Sequence, residues 1–361
     1  MGASKPVNVL ILGASYGSLL ASKLIPGGHK MHFICLPAEA ELINKEGIRV
    51  RMPVKGRDGL VEINSQKLNA KLSAGGPAGV NPAEYDLVAL AMMEPQYRSP
   101  GVRELLEAVA KAKIPCMSIM NMPPLPYLKR IPGLNTDSLR HAYADATVWD
   151  SFDPKYVTLC SPDPQAFRPP DEKVNVLQVR LPTNFKAAKF DSDKHTAILR
   201  QLEKDVDAAR YDDGTGNKIE LPVKLKVHES TWVPLAKWPM LMAGNYRCVT
   251  KDGIRPIKEA VHSNPAASKE VYDWVVKLCV SLGASEKDMV PFEKYANAAQ
   301  SLLTPSSAAR ALYGGAPNIE RPDRLVQAIA KQKGTNSPVI DEVVKLVDAQ
   351  LEINRAKAKA A

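Results

Sequence analysis

This sequence predicts an α/β protein in two parts, an N-terminal doubly wound parallel sheet followed by a C-terminal all-helical domain. Three observations carry that expectation. Near-continuous apolar runs recur at residues 7–12, 31–36 and 85–92, alternating with segments of helical period. Strands covered on both faces read in this way. A turn of small residues, Gly13-Ala14-Ser15-Tyr16-Gly17-Ser18, follows the first run directly. From about Glu229 onward, helical periodicity takes over to the end of the chain. At 361 residues the chain is too long for one core of ordinary size. The expected division is residues 1–228 and 229–361.

The elements follow from local pattern. Residues 18–24 have helical spacing and end at Gly27-Gly28, and residues 38–45 form a second helix closed by Gly47. Residues 48–54 alternate as a strand, which extends the strand–helix–strand rhythm of a parallel sheet. An amphipathic helix at 102–111 and a strand at 116–120 continue it. Residues 125–230 are rich in Pro and polar residues. They hold a strand at 174–181, a helix at 194–209 and a turn at 212–217. Helices are then expected over 230–250, 265–283, 292–312, 321–332 and 337–358.

Composition excludes several functional classes. Apolar residues make up 45% and charged residues 24%, so the chain buries a core rather than staying disordered. The 48 basic and 39 acidic residues leave a net charge of +9, but the basic residues are interspersed with acidic ones and only 6% of residues are aromatic. That pattern suits an anionic small molecule and argues against a nucleic-acid partner. Five scattered cysteines and six histidines form no Cys-x-x-Cys and no His-Glu-x-x-His, so no metal is expected. No apolar run approaches the roughly 18 residues of a membrane span. Gly2 hints at acylation, yet Pro6 stands where Ser or Thr is wanted. The expected location is cytoplasmic.

The turn at 13–18 is the sharpest local signal. A strand, a tight turn and a helix start present free backbone N–H groups at the positive end of a helix dipole, where a diphosphate can sit. This is the logic of the Rossmann-type dinucleotide fold. Gly13, Ser15, Tyr16, Gly17 and Ser18 are the candidate cofactor contacts. The fingerprint is one residue short and has Ser15 at its second glycine. The same residues spell Gly-x-Ser-x-Gly, a hydrolase nucleophile turn, but that turn does not usually follow the first strand. Residues 34–37, which end the second strand, carry no acid or arginine to select a cofactor. Glu39 and Glu41 follow and read as helix surface, while Arg49, Arg51 or Lys5 could reach a phosphate.

The layout resembles the ketopantoate reductase (2-dehydropantoate 2-reductase) family. The likeness rests on Gly28-His29, on residues 41–50, on Asp86-Leu87-Val88 with Gln96, and on Asn121. In the helical half it rests on Leu235-Ala236-Lys237-Trp238 with Asn245, and on Thr304-Pro305-Ser306-Ser307 with Glu320. The resemblance implies a nicotinamide cofactor, NADP by family habit or NAD, with Gln96 and Asn121 beside it. It implies Lys237 and Glu320 as catalytic groups in a cleft between the domains. Asn245, Leu241 and Ser307 are then the substrate contacts, and a homodimer through the helical domain is possible. The departures are Ser15, Leu36 for a basic residue, Met93 for a family lysine, Leu241 for a substrate-binding asparagine, and Met122 for the glycine after Asn121.

On residues alone, Lys237, Leu241 and Asn245 lie four apart and share a helical face, with Pro239 between them. A lysine on a face with Trp238, Met240 and Met242 loses solvation, which lowers its pKa and suits it to give a proton to a carbonyl oxygen. Lys237, Glu320 and Ser307 each have a plainer reading, which for Lys237 the residues alone favour: Lys237 as a surface lysine that carries its ammonium out to solvent, Glu320 as a charge in the next helix's first turn, and Ser307 as an N-cap. Three functions stay open. The first is an NAD(P)H-dependent oxidoreductase that reduces a small carbonyl compound less polar than ketopantoate. The second is an opine- or imine-type dehydrogenase. The third is a non-catalytic dinucleotide-binding sensor.

Overall fold

The computed structural model describes residues 5–68, 70–212 and 216–360. The acylation signal at Gly2 and half of the turn expected at 212–217 lie outside those residues. The chain divides into two compact units. The first comprises Met1–Met92, Ser99–Tyr127 and Val148–Glu229, and the second Met93–Arg98, Leu128–Thr147 and Ser230–Ala361.

The strands of the first unit are, in chain order, β1 (Asn8–Leu12), β2 (Lys30–Ile34), β3 (Arg49–Pro53), β4 (Leu60–Asn64), β5 (Lys71–Gly75), β6 (Leu87–Leu90), β7 (Cys116–Ile119), β8 (Val157–Ser161), β9 (Gln165–Phe167), β10 (Val176–Leu181), β11 (Phe185–Ala188), β12 (Tyr211–Asp212), β13 (Lys218–Ile219) and β14 (Leu225–His228). Eight of them form one sheet in the order β14-β11-β8-β7-β6-β1-β2-β5. Every pair in it is parallel except β8 with β11. Among its strands, β5-β2-β1-β6-β7-β8 reproduce the 3-2-1-4-5-6 order of dinucleotide-binding sheets. The order reverses between β1 and β6, and open α/β sheets take ligands beyond the strand carboxyl ends at that point. Helices α1 (Ser15–Leu24), α2 (Pro37–Glu46), α3 (Val102–Ala112), α4 (Leu125–Leu128) and α5 (Asp193–Ala208) complete the main helices here.

Continuous burial explains why the central strands were legible. All four residues of β6 and of β7 are buried, as are all but the first of β1. Residues 48–54 behave differently. They form β3, which belongs not to this sheet but to a second one, β4-β3-β10-β9. Its alternation, with Val50 and Met52 buried and Arg49, Arg51 and Pro53 partly exposed, marks a strand with one wet face. The strand that neighbours β2 is instead β5, an edge strand with Lys71 and Ser73 exposed and too polar a pattern to stand out.

The second unit holds α6 (Lys237–Met240), α7 (Ile257–His262), α8 (Pro265–Ser281), α9 (Phe292–Ala299), α10 (Ser307–Tyr313), α11 (Pro322–Gln332) and α12 (Pro338–Ala360), with a minimal hairpin of β15 (Val249–Thr250) and β16 (Gly253–Ile254). The single helix expected over 230–250 is corrected. Residues Val233–Ala236 form a 3₁₀ turn, α6 follows for one turn, Leu241–Asn245 form a π-turn, and Tyr246–Cys248 return to 3₁₀. Pro239 lies inside α6 and brings no N–H to the ladder, and the helix does not keep its α period past Met240. The helix expected over 292–312 is likewise two, α9 and α10, the second capped anew by Ser306. Among the described residues no helix is long and apolar enough to cross a membrane.

Gly17 sits where α1 crosses β1. A Cβ there would come 2.6 Å from Ile11 Cγ2 and 3.1 Å from a Phe33 ring carbon. Gly17→Ala should therefore destabilise the fold by about 1–3 kcal/mol, read as a lower Tm in thermal unfolding. An unchanged Tm would mean that helix and strand stand further apart than described.

Candidate functional site

In the first unit the turn after β1 lies against the end of β6. The N–H of Ala91 donates to Leu12 O at 2.8 Å, and that of Gly13 to Ile34 O at 2.9 Å. Gly13 has φ +102°, and a Cβ on it would meet Ala91 O at 2.7 Å. Only glycine fits both the angle and the approach. The helix that begins at Ser15 has no side-chain cap at Ala14. Its first-turn N–H groups therefore have no side-chain cap, an arrangement that could hold an anion at the strand switch.

Each turn residue now has a place. Gly13 shapes the turn, and Gly17 serves helix–strand packing, so its side-chain hydrogen is not what a phosphate would need. Ser18 is buried and turns its hydroxyl back to Ala14 O. Tyr16 gives its hydroxyl to Pro164 O at 2.9 Å. Ser15 stands at the start of α1, half-buried. Asn121 lies just past β7, and its Oδ1, shielded from solvent, has no hydrogen-bond partner. A buried carbonyl-type oxygen left in this state awaits a donor. The turn and Asn121 are the residues of this unit that could hold a dinucleotide.

The end of β2 departs from the expectation of a polar helix surface. Leu36 is strongly exposed, but Glu39, in the first turn of α2, is buried and bound by the Arg168 guanidinium. Burial, and then the Glu39 charge, push the Cys35 thiol up to about 12. Arg51, a phosphate candidate by sequence, is instead committed to Glu62 and Glu172.

The second unit collects the other candidates. Lys237 opens α6 and is buried, next to the fully buried Trp238. Leu241, also buried, starts the π-turn, and Asn245 ends it half-buried. The π-turn spans the four-residue step from Leu241 to Asn245. Tyr295 on α9 gives its hydroxyl to Met240 O at 3.1 Å, a carbonyl of the distorted helix. This contact requires Gly244, where a Cβ would fall 1.9 Å from the Tyr295 hydroxyl. Ser306, not Ser307, caps α10: its hydroxyl accepts from Ala309 N at 3.2 Å and donates to Asn245 O at 2.7 Å, while Ser307 is exposed. Gln96 is exposed and accepts from Met93 N at 2.9 Å within its own turn.

Glu320 is buried. Its Oε1 accepts the backbone N–H of Glu94 at 3.2 Å, and its carbonyl accepts the Tyr246 hydroxyl. Glu94 is the group that sequence reasoning passed over. It is buried, and its carboxylate takes the N–H of Ala144 at 3.1 and 3.2 Å. Burial raises its pKa to about 7, against the pull of backbone hydrogen bonds and Arg98. The sequence signal for it is an acid four residues beyond the last residue of a buried strand, between Met93 and Gln96. Beside it, Arg321 forms a forked pair with the fully buried Asp323 and a further bond to Asp348. Burial alone would lower the Arg321 pKa, but these carboxylates more than offset that and raise it.

Solved structures resemble this chain over nearly its whole length. A D-mandelate dehydrogenase, solved with NADH and anilino(oxo)acetate, matches with a TM-score of 0.63 and 15% identity, over 96% of this chain and 99% of that one. The 2-dehydropantoate 2-reductase of Methylococcus capsulatus gives 0.61 at 12%, over 96% and 98%. The dimeric ketopantoate reductase of Staphylococcus aureus gives 0.59 at 11%, over 96% and 100%. No family model and no curated protein matches the sequence. The likeness is thus one of fold: a Rossmann-type sheet followed by a helical C-terminal domain, as in ketopantoate reductases.

Two predictions follow from this unit. Glu94 titrates near 4.5 when unfolded and near 7 when folded, so the folded state binds its proton more tightly. Its contribution to stability is complete below the lower value and is lost as pH rises through the upper, an amount of order 3 kcal/mol. Glu94→Gln should flatten that decline in denaturant titrations between about pH 5 and 8; a decline as steep as in the wild type would assign it to another group. Gly244→Ala should lower stability by about 2 kcal/mol or more by forcing Tyr295 off Met240 O, and Gly244→Ala combined with Tyr295→Phe should recover part of the loss in thermal unfolding.

Proposed function

We propose that this protein is a nicotinamide-dependent oxidoreductase that reduces a small carbonyl compound. The observation that carries the reading is the close-packed Gly13 turn, opening onto an uncapped helix at the switch point of a 3-2-1-4-5-6 sheet. When bound there, the cofactor supplies a hydride. Backbone N–H groups at the start of α1, with Ser15, would hold its diphosphate, and Asn121 Oδ1 would accept a hydrogen bond from it. Of the pair beyond β2, Glu39 would suit a free ribose hydroxyl and Arg168 a 2′-phosphate. The cofactor is NADP on the family resemblance, or NAD, the form present with the mandelate dehydrogenase.

Lys237 gives the proton to the carbonyl oxygen as the carbon is reduced. Glu320, held by the Glu94 N–H and the Tyr246 hydroxyl, is the carboxylate that the family resemblance assigns to the neighbourhood of Lys237. Leu241 offers a substrate hydroxyl no hydrogen bond, which disfavours ketopantoate, and a buried hydroxyl without a partner costs about 1–3 kcal/mol. An apolar or aromatic 2-oxo acid suits Leu241 better, in line with the aromatic oxoacetate bound to the dehydrogenase. The five free cysteines, four of them buried, support a reducing, cytoplasmic setting. A homodimer through the helical unit has the Staphylococcus aureus reductase as its parallel.

Ser15→Asp tests the cofactor site without a folding penalty, because a carboxylate at a helix start is stabilising while it repels a diphosphate. NADPH and NADH titrations followed by tryptophan fluorescence should show at least about tenfold weaker binding with an unchanged or higher Tm. Equal affinity would remove the turn from the cofactor site. Lys237→Ala should cost kcat about 10²–10⁴-fold and leave cofactor affinity nearly unchanged, measured on a panel of 2-oxo acids that includes ketopantoate. Near-normal turnover would make Lys237 a structural residue. Cofactor binding with no turnover of any substrate would favour a dinucleotide sensor.

A further inference from the structure

The second unit contains a cavity that the oxidoreductase reading does not use. The hairpin β15–β16 and the first turns of α12 flank an open pocket of about 350 Å³, lined by Arg247, Val249, Arg255, Val339, Glu342 and Leu346 among others. Two guanidinium groups share this space. Arg247 is half-buried and donates from Nη1 to Ala243 O at 3.2 Å and to Ser268 Oγ at 2.7 Å. Arg255 donates from Nε to Arg247 O at 3.0 Å and from Nη1 to Ser263 Oγ at 3.4 Å. Every one of these acceptors is neutral. Burial lowers the Arg247 pKa, and the charge of Arg255 lowers it further.

The contrast lies in the same unit. Arg321 is matched by Asp323 and Asp348, and Arg324 by Asp348. Arg247 and Arg255 line one pocket, and among the described residues no carboxylate forms an ion pair with either, so two like charges share it and burial adds to the cost at Arg247. That arrangement costs free energy, and an anion between them would return it. The remaining walls define the rest of the ligand. Val249, Val339 and Leu346 are apolar. Glu342 points its half-exposed carboxylate toward Lys251, 3.8 Å away, and stands at the rim, where it repels a second negative charge.

We propose that this cavity binds a small organic monoanion, a carboxylate on a short branched or aromatic tail. The planar carboxylate matches the guanidinium fork, the tail lies on the valines and Leu346, and Glu342 excludes dianions. The volume is at the small end of ligand cavities, which begin near ~300 Å³.

The test is calorimetric titration of the full chain with benzoate, with benzyl alcohol as the uncharged analogue and inorganic phosphate as a head group without a tail. Benzoate should bind the wild type with a Kd of about 0.1–1 mM and benzyl alcohol should not. Arg255→Gln should weaken benzoate at least about tenfold. Val339→Trp, a change at an exposed position that leaves both arginines in place, should abolish benzoate binding by filling the cavity. Benzoate bound anywhere else, the Lys237 site included, would be indifferent to both variants, and that result would overturn the proposal. Failure of the wild type to bind benzoate at about 10 mM would also overturn it. So would phosphate binding as tightly as benzoate with Val339→Trp affecting neither, which would reduce the arginines to a general anion-attracting surface.

Discussion

The first unit depends on how closely backbone can approach backbone at the end of β1. Gly13 meets the carbonyl of Ala91, and one helical turn later Gly17 lets α1 lie on Ile11 and Phe33. Without both approaches β1 could not sit between β2 and β6 and still turn directly into a helix. The strand order, the uncapped helix start and the crevice at the switch point all follow from that fit. The position of an anion site is therefore fixed by packing before any ligand chemistry enters.

The second unit is organised by buried charge. Glu94, Glu320, Arg321 and Asp323 are all withdrawn from solvent, and backbone N–H groups, a tyrosine hydroxyl or opposite charges hold them. Burial on that scale is tolerable only when each group finds a partner, and the partners come from segments far apart in sequence. The segment 93–98 is drawn to the helices in this way, through the N–H and the carboxylate of its first acid. Arg247 and Arg255 stand out because, among the described residues, no carboxylate forms an ion pair with either.

What the sequence made legible was whatever depends on contiguous pattern. Strands β1, β6 and β7 announced themselves because both faces are covered, and the Gly13 turn because no other residue type serves there. Edge strand β5 was invisible, since a strand with one side open needs few apolar residues. The π-turn was also invisible: Pro239 signalled a disturbance, but what holds the altered period, Tyr295 reaching Met240 past a bare Gly244, comes from over fifty residues away. Glu94 illustrates the same limit at the candidate site. Its acidity is plain in the sequence, whereas its burial and its hold on Glu320 arise only when residues 144 and 320 arrive.

The division of the chain has a consequence for its synthesis. Residues 93–98 and 128–147 belong to the unit completed by Ser230–Ala361, yet they leave the ribosome with the sheet. Until the last helices appear, Tyr97, Leu139 and Tyr143, all buried in the finished protein, have none of those later residues to pack on. The sheet can close early, while the second unit must wait for the final third of the chain. A nascent chain of this design therefore carries these apolar residues without their final partners through much of translation, the interval in which aggregation is the main hazard.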